Sequence, residues 1–586
     1  MPDYEALSYT WGNVNVTKNI ILDGHVFPVT FNLEAALRHV RKKDEVRTIW
    51  VDAICLNQDD DVEKAHQVKE MYGIYQKATA VLVWLGSAST DSDIAVEYVQ
   101  KIHSLVDQGR EDDILDDIYG ITNWPMVLVP RAPYSTRELA GVLGLYRLLT
   151  REWWRRAWVL QEACFAKDII FHCGGATMTS TQLRVALHLL RVDHHSLVGH
   201  TDIKERGIAE NGYNDDWTID ALNDALDLFY NRDRILFRSL NMSTTVLDQQ
   251  ESAELLWCLG INRSRLCGRP HDRIYSVLGI CGPKFRGTVQ PSYSQDVELL
   301  YRTVVRDYVM ATASLDIILH SQHSLWRPTQ PSWAPDWSRP ERAEVLPRNG
   351  QNMIKCIDVD VNSLKFTDNM TRFHVPGYLV TTITKVGIEL EELLDPAKPF
   401  YGDEGIQFSA RPGEIPPQKT FWHFKEEYDE GKILRSAVER LPTDSPLFER
   451  ELEVFLGALA IAKRPWAMVH LSSQWNSTAS HTPSDEDLQR TEAIWKELHH
   501  LLTSRTLCET WDARLVVAPD FTQVDDVVCI LAGCSSPVIL RNQQDGTHRL
   551  IGDCYLMGVD DYLVTLDDKE SLWKKRGRER TTLILS

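Results

Sequence analysis

Six consecutive apolar residues, Ala80-Val81-Leu82-Val83-Trp84-Leu85, present hydrophobic side chains to both faces of any strand they form. Such a strand must be covered on both sides, which places it inside a parallel sheet flanked by helices. The neighbouring sequence supplies the other elements. Ala6-Leu7-Ser8-Tyr9-Thr10 reads as a strand ending at Trp11-Gly12, and Ile20-Ile21-Leu22 before the Asp23-Gly24 turn begins a hairpin. Asn32 is placed to cap a helix with Leu33, Leu37 and Val40 on one face. Thr48 through Ile54 reads as a second inner strand, and a helix follows with Val68, Met71, Tyr72, Tyr75 and Ala78 on one stripe. Strand, helix, strand, helix, strand in this order requires right-handed crossovers and a doubly wound layer. Residues 87–145 read as an acidic, Gly/Pro-punctuated insertion, 152–166 as a Trp-rich helix and Asp168–Phe171 as a short strand.

At 586 residues the chain is long for one core, since domains usually run to about 100–200 residues. The expected class is α/β: a doubly wound parallel sheet over 1–175, a mainly helical region over 176–345 and a mixed α+β region over 346–586. Helical segments are expected near 181–191, 219–239, 252–260 and 297–312, with a Pro-rich close around Pro328–Pro340. Beyond that, 353–390 and 514–566 read as β-rich, 424–504 as helical, and the two β segments are candidates to pair across the helical insert.

The net charge of −20 repels phosphate backbones and anionic lipid, so no nucleic-acid partner is expected. The basic stretch Lys574–Arg580 reads as a solvated tail. Eleven scattered cysteines suit a reducing compartment and not a disulfide framework. The start of the chain lacks the basic and apolar regions of a signal peptide, and no run of about 18 apolar residues occurs. A cytoplasmic location without a membrane span is the expectation. Nucleotide-binding glycine loops, H-E-x-x-H and paired C-x-x-C motifs do not occur, so no metal site is expected.

The informative strings are Tyr4 through Gly12, Ile49 through Gln58, Gln67 through Tyr75 with Val83-Trp84-Leu85-Gly86, and Arg156-Ala157-Trp158-Val159-Leu160-Gln161-Glu162. In order and spacing they resemble the blocks of fungal heterokaryon incompatibility (HET) domains. Arg269–Gly279, Pro331–Trp337 and Gly552–Tyr555 resemble further segments of long proteins of that family. The resemblance implies a signalling module in vegetative incompatibility, the recognition of non-self that ends in death of fused cells. Its implied partner is a protein encoded by an incompatible allele or locus, or a second copy of the chain. A role in defence or development is the non-catalytic alternative.

A more remote resemblance, of the strand and helix order and of Trp158 through Glu162, is to the TIR fold. It implies NAD as a possible substrate, with Glu162 as the catalytic carboxylate stabilising a ribosyl cation. Tyr9, Trp11, Asp52 and Trp158 are then the candidate cofactor contacts.

The residues themselves leave alternatives open. On one continuous helix Trp154, Trp158 and Glu162 share a face. A buried carboxylate there costs several kcal/mol unless compensated, so Glu162 either pairs with an arginine such as Arg151 or Arg155 or faces a cleft. Asp52, at a strand tip, either holds a ligand or caps the turn that follows it. Asn57 and Gln58 read as turn formers. Cys55 and Cys164 read as core packing, and His271-Asp272 as a polar surface or ion-pair element.

Overall fold

A computed structural model describes residues 2–108, 135–198, 262–280, 288–321, 330–339, 359–389, 504–512, 515–556 and 580–586, with scattered helical positions between 221 and 260. Residues 424–503 of the expected helix at 424–504, the basic tail up to Arg578, and parts of the 219–239 and 252–260 segments lie outside the described residues. Two compact units appear, Met1–Gln295 and Asp296–Ser586.

The first unit is built on a five-stranded sheet. Its strands are β1 (Glu5–Tyr9), β4 (Ile49–Trp50), β5 (Val81–Trp84), β6 (Ile169–Cys173) and β7 (Ala176–Thr179), in the order β4-β1-β5-β6-β7. The first four run parallel, and β7 returns antiparallel along β6. All four residues of β5 are buried between β1 and β6, as its two-sided apolar character requires. The parallel order is that of flavodoxin-like sheets, in which a chain crossing from one side of the first strand to the other opens a crevice at the strands' carboxyl ends. Helix Asp61–Lys77 makes that crossing. Asp60 caps it, accepting from Val62 N and Glu63 N at 2.9 and 3.1 Å, and Val68, Met71 and Tyr75 are buried.

Between β1 and helix Phe31–Val40 lies the hairpin of β2 (Thr17–Leu22) and β3 (His25–Thr30), which turns at Asp23 and Gly24 with φ of 51° and 79°. Positive φ at both central positions matches the right-handed strand twist, which the Asp-Gly pair permits.

Several expectations are corrected. Thr30, not Asn32, caps the first helix, through Leu33 N. The strand expected over 48–54 is short and lies at the sheet edge, because the chain turns into helix Asp52–Cys55 directly after it. Much of the expected insertion is helical: Ser92–Gln108 and Thr136–Leu149, the latter opened by a capping box between Ser135 and Glu138. The expected helix over 152–166 is broken into a 3-10 turn, Glu152–Arg155, and helix Val159–Cys164.

In the second unit, Asp296 caps helix Val297–Thr312. Among the described residues nine strands follow: β8 (Lys365–Thr367), β9 (Arg372–Glu389), β10 (Arg505–Thr510), β11 (Leu515–Pro519), β12 (Val527–Leu531), β13 (Val538–Asn542), β14 (His548–Asp553), β15 (Tyr555–Leu556) and β16 (Thr581–Leu585). The two β-rich sequence segments do pair: β9 bonds to β10, β12 and β16. Its pairing with β12 closes the path β12-β13-β14-β16-β9 into a ring around Val380, Ile530, Ile539 and Ile551. Trp333 and Trp337 of the Pro331–Trp337 string are buried against Phe373 and Tyr301 respectively. The Arg505–Asp553 ion pair, both side chains fully buried, ties β10 to β14.

Candidate functional site

The carboxyl ends of β1, β4 and β5 carry most of the first unit's unusual chemistry. Ser8 is the one serine or threonine within the buried run Ala6–Tyr9, and its hydroxyl sits between two elements from further along the chain. Trp153 Nε1 donates to Ser8 Oγ at 2.7 Å, and Ser8 Oγ donates onward to Glu162 Oε2. Arg156 closes the group with two parallel bonds to the same carboxylate, at 2.9 and 3.0 Å. The Glu162 side chain is 3 % exposed and that of Arg156 14 %. A buried carboxylate is tolerable only with compensation of this kind, and a bidentate guanidinium supplies both charge and geometry.

The partner of Glu162 is thus neither Arg151 nor Arg155. Arg151 turns away to the Leu85 and Ser87 carbonyls, while Arg155 is exposed. The break in the helix explains the difference. With Arg156 extended between the 3-10 turn and the following helix, its side chain, six positions before Glu162, folds back over the carboxylate.

Asp52 stands beside this group. Its Oδ2 accepts from Trp11 Nε1 at 2.8 Å and its Oδ1 from Ala53 N at 2.7 Å. The residue keeps partial exposure, yet its carboxyl is withdrawn from water, which raises its pKa above the usual range against the pull of Trp11 and Arg156. Burial also holds the Tyr9 phenol well above its ordinary value, reinforced by the Asp52 carboxylate, and Tyr75 is displaced upward by burial and by Glu162. Burial opposes the charge on Arg156, but the Glu162 carboxylate overrides it and raises the guanidinium. Tyr9, Asp52, Tyr75, Arg156 and Glu162 therefore share one electrostatic neighbourhood.

Asn32, freed from capping, binds the strand tips together. Its Nδ2 donates to Thr10 O at 2.6 Å, and its Oδ1 accepts from Trp84 Nε1 at 2.9 Å. Asn57 and Gln58 do shape the turn after Asp52, through Asp59 N and Asp52 O.

Of the sequence candidates, Tyr9, Trp11, Asp52 and Glu162 lie together. Trp158 faces Asp272 instead and belongs to a second cluster with Tyr293 and Tyr275. Asp272 is buried, so the expected polar surface at His271-Asp272 is an internal hydrogen-bonded element. Cys164 is buried as expected, but Cys55 is exposed. Ser8 and Trp153 had no role at the sequence level. The signal was available, since a hydroxyl inside a fully apolar strand needs a partner.

These segments coincide with a known family model: residues 4–162 match the heterokaryon incompatibility protein (HET) family. Over these residues the chain is similar to a HET domain. It is also 26% identical over 432 residues to heterokaryon incompatibility protein 6, OR allele, of Neurospora crassa, an alignment covering 66% of this chain and 60% of that relative. No solved structure matches the chain. Ser8, Asp52, Arg156 and Glu162 all fall within the matched residues 4–162. No helix among the described residues is long and apolar enough to cross a membrane.

Proposed function

We propose that this protein acts in vegetative incompatibility, as a signalling module whose HET domain, built on a TIR-like sheet, triggers death of fused cells. One observation carries the reading. The blocks that mark the HET domain, distant in sequence, converge on a single braced carboxylate at the strand tips, through Ser8, Trp153, Arg156 and Glu162. Both oxygens of Glu162 are engaged, which supports a bracing role over direct attack on NAD. In this reading the brace is the resting lock of the domain, with Asp52, Trp11 and Tyr9 as the polar rim that opens when the lock is released. The partner is a protein encoded by an incompatible allele or a second copy of the chain, in the cytoplasm.

Inducible expression of the intact chain in a filamentous fungus, followed by fusion with strains of unlike genotype, tests this. Dye uptake by the fused compartments is the expected result, with hyphae that do not fuse surviving. Survival of every fused pairing, despite folded protein in the cell, overturns the reading. Purified chain incubated with NAD is expected to leave the cofactor intact. Consumption that Glu162→Gln abolishes in a folded variant would replace the bracing role with a catalytic one.

A further inference from the structure

The matched HET domain ends at Glu162, but the unit that contains it continues to Gln295. Residues from Asn262 onward are stitched to the brace at both of its arms. On the Arg156 arm, Ala157 N donates to Leu266 O at 2.9 Å, Leu266 N donates to Arg155 O, and Arg265 Nη1 donates to Trp154 O at 2.7 Å. These bonds hold the extended stretch that lets Arg156 fold over the carboxylate. On the Glu162 arm, the neighbouring Gln161, fully buried, donates from Nε2 to Tyr275 O at 2.7 Å. Gly279 allows that approach, since a Cβ there would stand 2.6 Å from Tyr72 Cβ and 2.8 Å from Gln161 Oε1.

The same segment grips the stretch by which the chain leaves the unit. Tyr275 Oη donates to Ser292 O at 3.0 Å and accepts from Ser292 N at 2.9 Å. Tyr293 Oη donates to Asp272 Oδ1 at 2.7 Å, and His271 Nε2 meets Gln295 O at 2.8 Å. A continuous chain of hydrogen bonds thus runs from Gln295 to the peptides on either side of the ion pair.

We infer that residues 262–280 and 288–295 form a strap through which the chain following Gln295 controls the Arg156–Glu162 brace, holding it closed while Ser292–Gln295 stay docked and loosening it when they are drawn away. Because Tyr275 grips Ser292 with its hydroxyl and Gln161 with its carbonyl, displacement at one end changes the support at the other. A relay needs a two-state element that both ends bias, and here that part is assigned to the break at 156–158, between the 3-10 turn and helix Val159–Cys164. The inference rests on the reading of the brace as a resting lock only for its biological consequence, not for the coupling itself.

Hydrogen exchange on the full chain tests the coupling. Tyr275→Phe combined with Tyr293→Phe removes the hydroxyl bonds to Ser292 and Asp272 while keeping both rings. Exchange in peptides spanning 153–164 is expected to rise at least tenfold, with β9 in the other unit unchanged. A rise confined to 271–295 overturns the strap. If the double variant fails to fold, His271→Ala, which removes the bond to Gln295 and the ring contacts to Tyr275 and Tyr293 but keeps both tyrosine hydroxyls, is read the same way, with a smaller rise at 153–164 expected and none refuting. Viability of cells expressing the variants separates the two readings. Faster exchange at the brace without any loss of viability sinks the lock's role in cell death and leaves the strap standing, whereas unchanged exchange sinks the strap whatever the cells do.

Discussion

Removing the Glu162 carboxylate is the most informative perturbation of the first unit. Glu162→Ala leaves Arg156, only 14 % exposed, without its two acceptors, and leaves the Ser8 hydroxyl, 1% exposed, without its own. Breaking a buried pair from one side costs about 3–5 kcal/mol, because the remaining charge stays desolvated. At roughly 2 °C per kcal/mol for a unit of this size, the first unit should melt about 6–10 °C lower. The assay is a thermal melt of the full chain followed by hydrogen exchange in β1 and β5, which separates this unit's transition from that of the other unit. The second unit's transition should not move. A loss under about 0.5 kcal/mol would mean that water or another group already compensates Arg156, and the bracing argument would fail.

Four further outcomes are expected. Glu138, held by Ser135 and Lys101, has its pKa lowered to about 2, so its contribution is present above about pH 4.5 and is lost as pH falls toward 2; Glu138→Ala should cost about 1 kcal/mol at pH 7 and flatten the acid limb of the stability curve over that window. His172, 8% exposed, is pushed by burial from 6.5 to about 4, so the unfolded chain takes up the proton first and stability falls as pH drops from 6.5 to 4; His172→Gln should reduce that slope in urea titrations at stepped pH. Gly279→Ala forces a methyl group against Tyr72 and Gln161 and should cost about 1–3 kcal/mol, measured by the first unit's urea midpoint. Asp553→Ala takes the carboxylate away from the fully buried Arg505 and should destabilise the second unit by about 3–5 kcal/mol, with the first unit's melt unaffected.

Local pattern made the sheet legible where one feature decided the outcome. Val81–Trp84 had to be central because both its faces are apolar, and Asp23-Gly24 had to turn because both positions accept positive φ. The crossing helix Asp61–Lys77 followed from its apolar stripe. What escaped the sequence was set by distant contacts. The run 152–166 has helical periodicity throughout, yet Ala157 gives its amide to Leu266, more than a hundred positions away, and the helix breaks there. That break selects Arg156 as the partner of Glu162 over the residues one helical geometry would offer. Asn32 likewise has the chemistry of a cap, but the tips of β1 and β5 compete for its amide and leave Thr30 to cap the helix. Residues 92–108 and 136–149 read as insertion because acidic and Gly/Pro signals between them obscured two amphipathic helices. At the site, Tyr9, Trp11 and Asp52 were legible as polar or aromatic groups near strand tips, and Glu162 as a buried carboxylate on a helix in need of a partner. Trp158 was not separable from them, since its true neighbour, Asp272, lies far along the chain.

A double-mutant cycle on the full chain, using Arg156→Ala, Glu162→Ala and the pair together, measures the brace directly. The geometry predicts a coupling energy of about 2–3 kcal/mol in the first unit's unfolding, because the double variant removes both desolvated charges at once. Additive losses, with coupling below about 0.5 kcal/mol, would show that the two side chains do not hold each other and would contradict the lock on which the account depends.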